Sequence, residues 1–70
     1  MKYRIGNNLT GPYSFFFSSI EKARGALRKE RVSVARIAVR NSGGRLSFEE
    51  ARVIVKDYCW ICDEHLKIVE

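Results

Sequence analysis

The residues best suited to chemistry are two cysteines and a histidine late in the chain. Cys59 and Cys62 are separated by two residues, and His65 follows three residues later. This spacing suits metal ligands, but a structural zinc ion takes four, so Asp63, Glu64 or a partner chain would have to complete the set. A redox Cys-x-x-Cys pair lies at a helix N-terminus, whereas this pair is predicted near a helix C-terminus. We therefore expect buried core thiols with no metal or cofactor, and keep metal binding and redox chemistry as alternatives.

Catalysis receives no support from the remaining residues. His65 is the only histidine, and no motif places a serine, cysteine or carboxylate beside it as a nucleophile–base pair would require. We expect His65 to interact with the carbonyls at a helix end. The chain is therefore expected to bind a partner rather than to act as an enzyme.

The segment Asn41-Ser42-Gly43-Gly44-Arg45 has the composition of a phosphate cradle. Its backbone amides and the Arg45 guanidinium would donate hydrogen bonds to an anion. The segment lacks the Gly-x4-Gly-Lys-Ser/Thr pattern of a P-loop. A Ser-Gly-Gly run is also typical of a turn, which is the interpretation we favour.

Positive charge is concentrated in the first two thirds of the chain. The net charge is +5, with ten Lys/Arg against two Glu in residues 1–45 and three Lys/Arg against six Asp/Glu in residues 46–70. This asymmetry favours an anionic partner, with a merely solvated basic surface as the alternative. The candidate binding residues are Lys2, Arg4, Arg24, Arg28, Lys29, Arg36, Arg40 and Arg45.

The first half of the chain predicts a hairpin and a helix. Residues 2–5 alternate between polar and apolar side chains, and the aromatic residues 13–17 suit the partner strand beyond a turn. Ser18, with Glu21 three residues later, predicts a capping box and a helix that ends near Glu30.

The second half predicts a strand, a longer helix and a last strand. Residues 32–41 are β-branched and alternating, which indicates a strand. Ser47 begins a second capping box, and the helix should extend to residue 62 or 64, before a short strand over residues 65–69. The predicted fold is one α+β domain of order β-β-α-β-α-β, with an antiparallel-rich sheet and both helices on one face.

The two predicted helices begin alike. Residues 19–24 and 47–52 share the pattern Ser, apolar, Glu, any residue, Ala, Arg. The pattern indicates either a duplicated strand–turn–helix unit, over residues 1–30 and 31–64, or two helices that solve the same capping problem alike.

One candidate binding surface is the open face of the sheet. If the helices cover the side of Tyr3, Ile5, Ile37 and Val39, the other side should present Lys2, Arg4, Arg36 and Arg40 with one aromatic set. That set is either Tyr13/Phe15/Phe17 or Ser14/Phe16, which the sequence does not resolve. Cations beside an aromatic ring are typical of single-strand nucleic-acid binders. An ordinary polar sheet face is the alternative.

A second candidate surface is a protein interface. Val53 and Trp60 are seven residues apart and fall on the solvent side of the predicted second helix. Tryptophan is enriched at interface hot spots. The pair therefore predicts contact with a partner protein or with a second copy of the chain.

The chain contains no apolar run long enough for a membrane helix and no signal-peptide core. We expect a cytoplasmic protein, in a host cytosol if phage-encoded, without a membrane partner. Very small basic domains of this type occur among phage and mobile-element accessory proteins, some of which inhibit nucleoprotein machinery such as CRISPR effectors. We expect a non-enzymatic binding or inhibitor module for a nucleic acid or nucleoprotein complex. A protein–protein or homodimerisation module and a Cys/His metal protein are the alternatives.

Overall fold

The longest element is the helix α1 (Ile20–Asn41) in the computed structural model, which describes all 70 residues. Ser19 is its N-cap and accepts a hydrogen bond from the Lys22 amide at 3.2 Å. The cap predicted at Ser18 is therefore one residue too early. α1 ends at Asn41, and the amide of its C-cap, Ser42, donates to carbonyls of the last turn.

The second helix, α2 (Phe48–Tyr58), begins with the predicted capping box. Ser47 Oγ accepts from the Glu50 amide and a Glu50 carboxylate oxygen accepts from the Ser47 amide, each at 3.1 Å. These bonds favour the carboxylate and hold the pKa of Glu50 below its usual value. α2 ends before the predicted residue 62 or 64, because Cys59 adopts extended backbone with φ −107° and ψ 140°.

The strand predicted over residues 32–41 is wrong, because α1 continues through this segment. The predicted end near residue 30 is wrong for the same reason. β-branched residues reduce helix stability by only a few tenths of a kcal/mol each, and no glycine or proline lies between Gly25 and Asn41 to stop the helix. Ala35 is fully buried against α2, and such packing outweighs a weak local preference.

Three short antiparallel strands form one sheet. They are β1 (Arg4–Asn7), β2 (Gly11–Pro12) and β3 (Cys59–Cys62). Their order is β2-β1-β3, so β1 is central, with Ile5 opposite Ile61 of β3.

Two strand predictions need correction. Residues 13–17 do not form the hairpin partner of β1, since that position belongs to β2 and only Phe17 makes an isolated bridge, to Tyr3. Residues 65–69 do not form a strand either, and only Ile68 bridges to Cys62. The last strand of the structure is β3 instead. Its four residues were predicted at the end of the second helix, but they pair with β1.

The core consists of two small clusters that α1 joins. The sheet cluster contains Ile5, Ala23, Leu27, Cys59 and Ile61. The helix cluster contains Ala35, Ala51 and Val55. Val34 and Tyr58 pack against both clusters, so they connect the two parts of the core.

The fold class is α+β, as predicted, with the helices packed against each other and against the sheet. The element order is β-β-α-α-β, because the third predicted strand is part of α1. Ser19 and Ser47, which the repeated sequence pattern aligned, are both N-caps. The duplication hypothesis itself stays a prediction.

Two glycines should respond in opposite ways to substitution by alanine. A Cβ at Gly6 would lie 2.6 Å from the Gly11 carbonyl oxygen and 2.8 Å from Trp60 Cη2, whereas a Cβ at Gly25 meets only Arg28, at 3.8 Å. We expect Gly6→Ala to lower the free energy of unfolding by about 1–3 kcal/mol through overpacking. Gly25→Ala should raise it by about 0.5–1 kcal/mol, since Gly25 lies within α1. Urea titrations would measure both, and equal midpoints would contradict the tight packing at Gly6.

Candidate functional site

One side of α1 carries a row of unburied cations. We name it the α1 basic face, and it consists of Arg28, Lys29, Val32, Ser33, Arg36, Ile37 and Arg40. These residues recur every three or four positions, so the helical repeat brings them onto one surface. They line a shallow groove of about 500 Å³ without an acidic residue. The buried Leu27 and Ala35 lie on the opposite side of the helix and anchor it to the rest of the molecule.

The charges of the α1 basic face are not neutralised within the protein. The structure contains one ion pair, between Arg24 and Glu70. None of Arg28, Lys29, Arg36 and Arg40 has a carboxylate oxygen within 4.0 Å. Four neighbouring cations repel one another and favour an anionic ligand.

A second groove follows the contact between α1 and α2, and we name it the α1–α2 groove. It encloses about 490 Å³ and is lined by Arg28, Arg31, Val32, Glu49, Arg52, Val53, Val55 and Lys56. Arg28 and Val32 also belong to the α1 basic face, so the two surfaces are continuous. Four cations and one acid line the α1–α2 groove, which extends the positive surface onto α2.

Arg31 is the fixed cation of the α1–α2 groove. One of its guanidinium nitrogens, Nη2, donates to the carbonyl oxygens of Lys56 at 2.9 Å and Cys59 at 3.1 Å. These carbonyls belong to the C-terminal end of α2, where the helix dipole favours a cation. Arg31 therefore fastens α2 to α1, while Arg52 and Lys56 are exposed.

The structure separates the eight predicted cations into groups. Arg28, Lys29, Arg36 and Arg40 share the α1 basic face. Arg24 instead binds the Glu70 carboxylate, with Nε donating at 2.8 and 3.0 Å. This pairing raises the pKa of Arg24 and lowers that of Glu70. Arg45 is exposed in the turn between the helices.

Lys2 and Arg4 lie beside an aromatic ring of the N-terminal segment. Lys2 Nζ is 5.3 Å and Arg4 Cζ 4.1 Å from the centroid of Phe16. Tyr13 and Phe17 pack against the sheet cluster instead, so Phe16 is the aromatic residue that joins the cations. The predicted sheet face of Lys2, Arg4, Arg36 and Arg40 is nevertheless wrong, because the last two residues lie on α1.

The predicted interface of Val53 and Trp60 does not form on one helix. Val53 lies on α2 and is 73% exposed, whereas Trp60 follows the end of that helix, in β3. Trp60 is half-buried, and its indole Nε1 donates to Asn8 Oδ1 at 2.8 Å. The tryptophan therefore packs on the β1–β2 turn, and Val53 alone stays available in the α1–α2 groove.

Cys59 and Cys62 are buried core thiols, as favoured from the sequence. Both lie in β3 rather than on a helix, and residues three apart in a strand point to opposite faces. Burial raises the pKa of both thiols. No three His, Cys, Asp or Glu side chains are placed to hold a metal ion, so the proposed Cys59/Cys62/His65 set does not converge.

His65 and the Ser-Gly-Gly segment both lie in turns. His65 does not end a helix, since its amide donates to Asp63 Oδ1 at 2.9 Å in the turn after β3. Gly43 and Gly44 have φ values of 66° and 87°, which suit the turn favoured for this segment. Ser42 Oγ accepts from the Leu46 amide at 3.1 Å and closes the turn.

Sequence reasoning missed part of this surface. Val32, Ser33 and Ile37 were assigned to a strand, and Arg31, Arg52 and Lys56 were not proposed as binding residues. One signal could have placed the first three on a helix: no glycine or proline lies between Gly25 and Asn41. The α1–α2 groove had no such signal, because it depends on how two helices pack.

Comparisons of the chain with protein-family models, curated proteins and solved structures found no match. Neither helix is both long enough and apolar enough to cross a lipid bilayer.

The buried thiols predict a decline of stability in alkali. Their folded-state pKa values are raised, so between the unfolded and folded pKa values the folded state binds more protons. The contribution of these thiols to the free energy of unfolding is therefore fully present below about pH 8.5 and decreases as pH rises above it. Urea midpoints at pH 7.5 and 9.5 would show this loss. Between the same two pH values, the urea midpoint of the variant Cys59→Ala/Cys62→Ala should fall less than that of the wild-type protein. An equal fall in both proteins would assign the effect to other groups.

Proposed function

We propose that this protein is a non-enzymatic module that binds nucleic acid through the α1 basic face. The observation that carries the proposal is the set Arg28, Lys29, Arg36 and Arg40 on one exposed helix surface without a neutralising carboxylate. Phosphate groups are the anions that such a row of arginine and lysine residues binds well.

The spacing of the cations supports an extended ligand. Arg28 and Arg40 are twelve residues apart in α1, which corresponds to about 18 Å along the helix axis. A single phosphate or carboxylate cannot contact cations across that length. A nucleic-acid backbone repeats its charge at intervals of about 3.4 Å per strand along the duplex axis, so several phosphates lie within the same span.

A nucleoprotein complex presents the same phosphates, so the proposal extends to a module that docks on such a complex. An inhibitor from a phage or mobile element would act in this way. The cytoplasm, where such complexes operate, is the proposed location.

The first test measures binding of a 20-nucleotide probe, single-stranded or duplex, across 50–200 mM salt. With four phosphate contacts, log K should fall by about 3 to 4 for each tenfold rise in salt. Arg36→Gln/Arg40→Gln should weaken binding roughly 10- to 50-fold at 100 mM salt and reduce the salt slope by about half. Fluorescence anisotropy provides the measurement, with circular dichroism to verify folding.

The matched control is Lys22→Gln/Lys67→Gln, which removes the same charge outside the α1 basic face and the α1–α2 groove. This variant should keep the wild-type salt slope within about one contact. Equal losses in the two double variants would mean that net charge, not the α1 basic face, drives binding. No binding of either probe by the wild-type protein at 50 mM salt would refute the proposal and leave an acidic protein partner as the next ligand to test.

A further inference from the structure

We infer that the ligand of the α1 basic face is B-form duplex DNA, with α1 lying in the major groove. The inference rests on the proposed function and names the class of nucleic acid. An α-helix with its side chains is about 10–12 Å across, and the B-DNA major groove is about 12 Å wide. One side of α1 is free along the full length of the basic face, so a single helix can enter the groove.

The α1–α2 groove gives the inference its second support. A helix seated in the major groove is flanked on each side by a sugar-phosphate strand. Beside α1, the exposed Arg52 and Lys56 are one turn apart on α2 and line the α1–α2 groove with Arg28. The flanking strand on this side would therefore meet cations rather than an acidic or apolar surface. Glu49 is the one acid in this groove.

The side chains of the α1 basic face suit the edges of base pairs. Arginine pairs with the O6 and N7 atoms of guanine in the major groove, and aliphatic side chains contact the thymine methyl group. An arginine of the α1 basic face that meets a guanine edge rather than a phosphate would make the first type of contact. Val32 and Ile37, which lie between the cations, supply the second.

A single strand fits this surface less well. Proteins that bind single strands stack the bases on aromatic side chains. Neither the α1 basic face nor the α1–α2 groove contains an aromatic residue. Phe16, the ring that lies beside Lys2 and Arg4, belongs to the N-terminal segment instead. Duplex RNA is also disfavoured, because its deep, narrow major groove does not admit a helix.

Four nucleic-acid probes of one 20-nucleotide sequence test the inference by fluorescence anisotropy at 75 mM salt. They are the DNA duplex, the DNA single strand, the RNA duplex and a DNA duplex whose cytosines carry glucosylated 5-hydroxymethyl groups, which fill the major groove. We expect the plain DNA duplex to bind at least tenfold more tightly than each of the other three. Equal affinity for the glucosylated duplex, the RNA duplex or the single strand would overturn the inference.

The variant Arg52→Gln/Lys56→Gln tests the role of the α1–α2 groove. We expect it to weaken duplex binding at least fivefold, while Lys22→Gln/Lys67→Gln, with the same net charge, changes it less than twofold. Equal effects of the two variants would overturn the placement of the phosphate strand. If all four probes bind alike and depend on Arg36 and Arg40, the proposed function stands and the duplex inference fails. If none binds, both fail.

Discussion

Burial of one stripe of α1 against two different neighbours organises the molecule. The N-terminal half of this stripe, with Ala23 and Leu27, packs on the sheet, and the C-terminal half, with Ala35, packs on α2. Because a single helix serves both clusters, a break near residue 30 would separate them. Val34 and Tyr58 alone connect the clusters through side chains, so the rigid backbone of α1 carries most of the coupling.

The same continuity creates the charged surface on the other side of α1. An uninterrupted helix presents Arg28, Arg36 and Arg40 in one direction, whereas a strand beginning near residue 32 would have divided them between two elements. Small side chains at the helix contact, with Ala35 and Ala51 fully buried, let α1 and α2 approach closely. Long side chains such as Arg52 and Lys56 then border the α1–α2 groove instead of being buried within it.

Local signals predicted the cations and, to within one residue, the helix starts, but not the element that holds the cations. The capping box at Ser47 involves residues three apart and was predictable, as was the α+β class. Arg36 and Arg40 are four residues apart, a spacing that fits one face of a strand and one face of a helix equally well. The absence of glycine and proline after Gly25 permits the helix, and burial of Ala35 against α2 selects it. Trp60 was misplaced similarly, since only pairing with β1 ends α2 at Tyr58.

The pairing of β1 with β3 has a consequence for the order in which the parts of the chain fold. Arg4 lies opposite Cys62, so the central strand of the sheet obtains one of its two neighbours only when the chain closes a loop from residue 4 to residue 62. α1 and α2, joined by a short turn, can form their contact before that point, because it closes a much shorter loop. The helical pair should therefore fold first, with one edge of β1 unpaired until β3 docks on it.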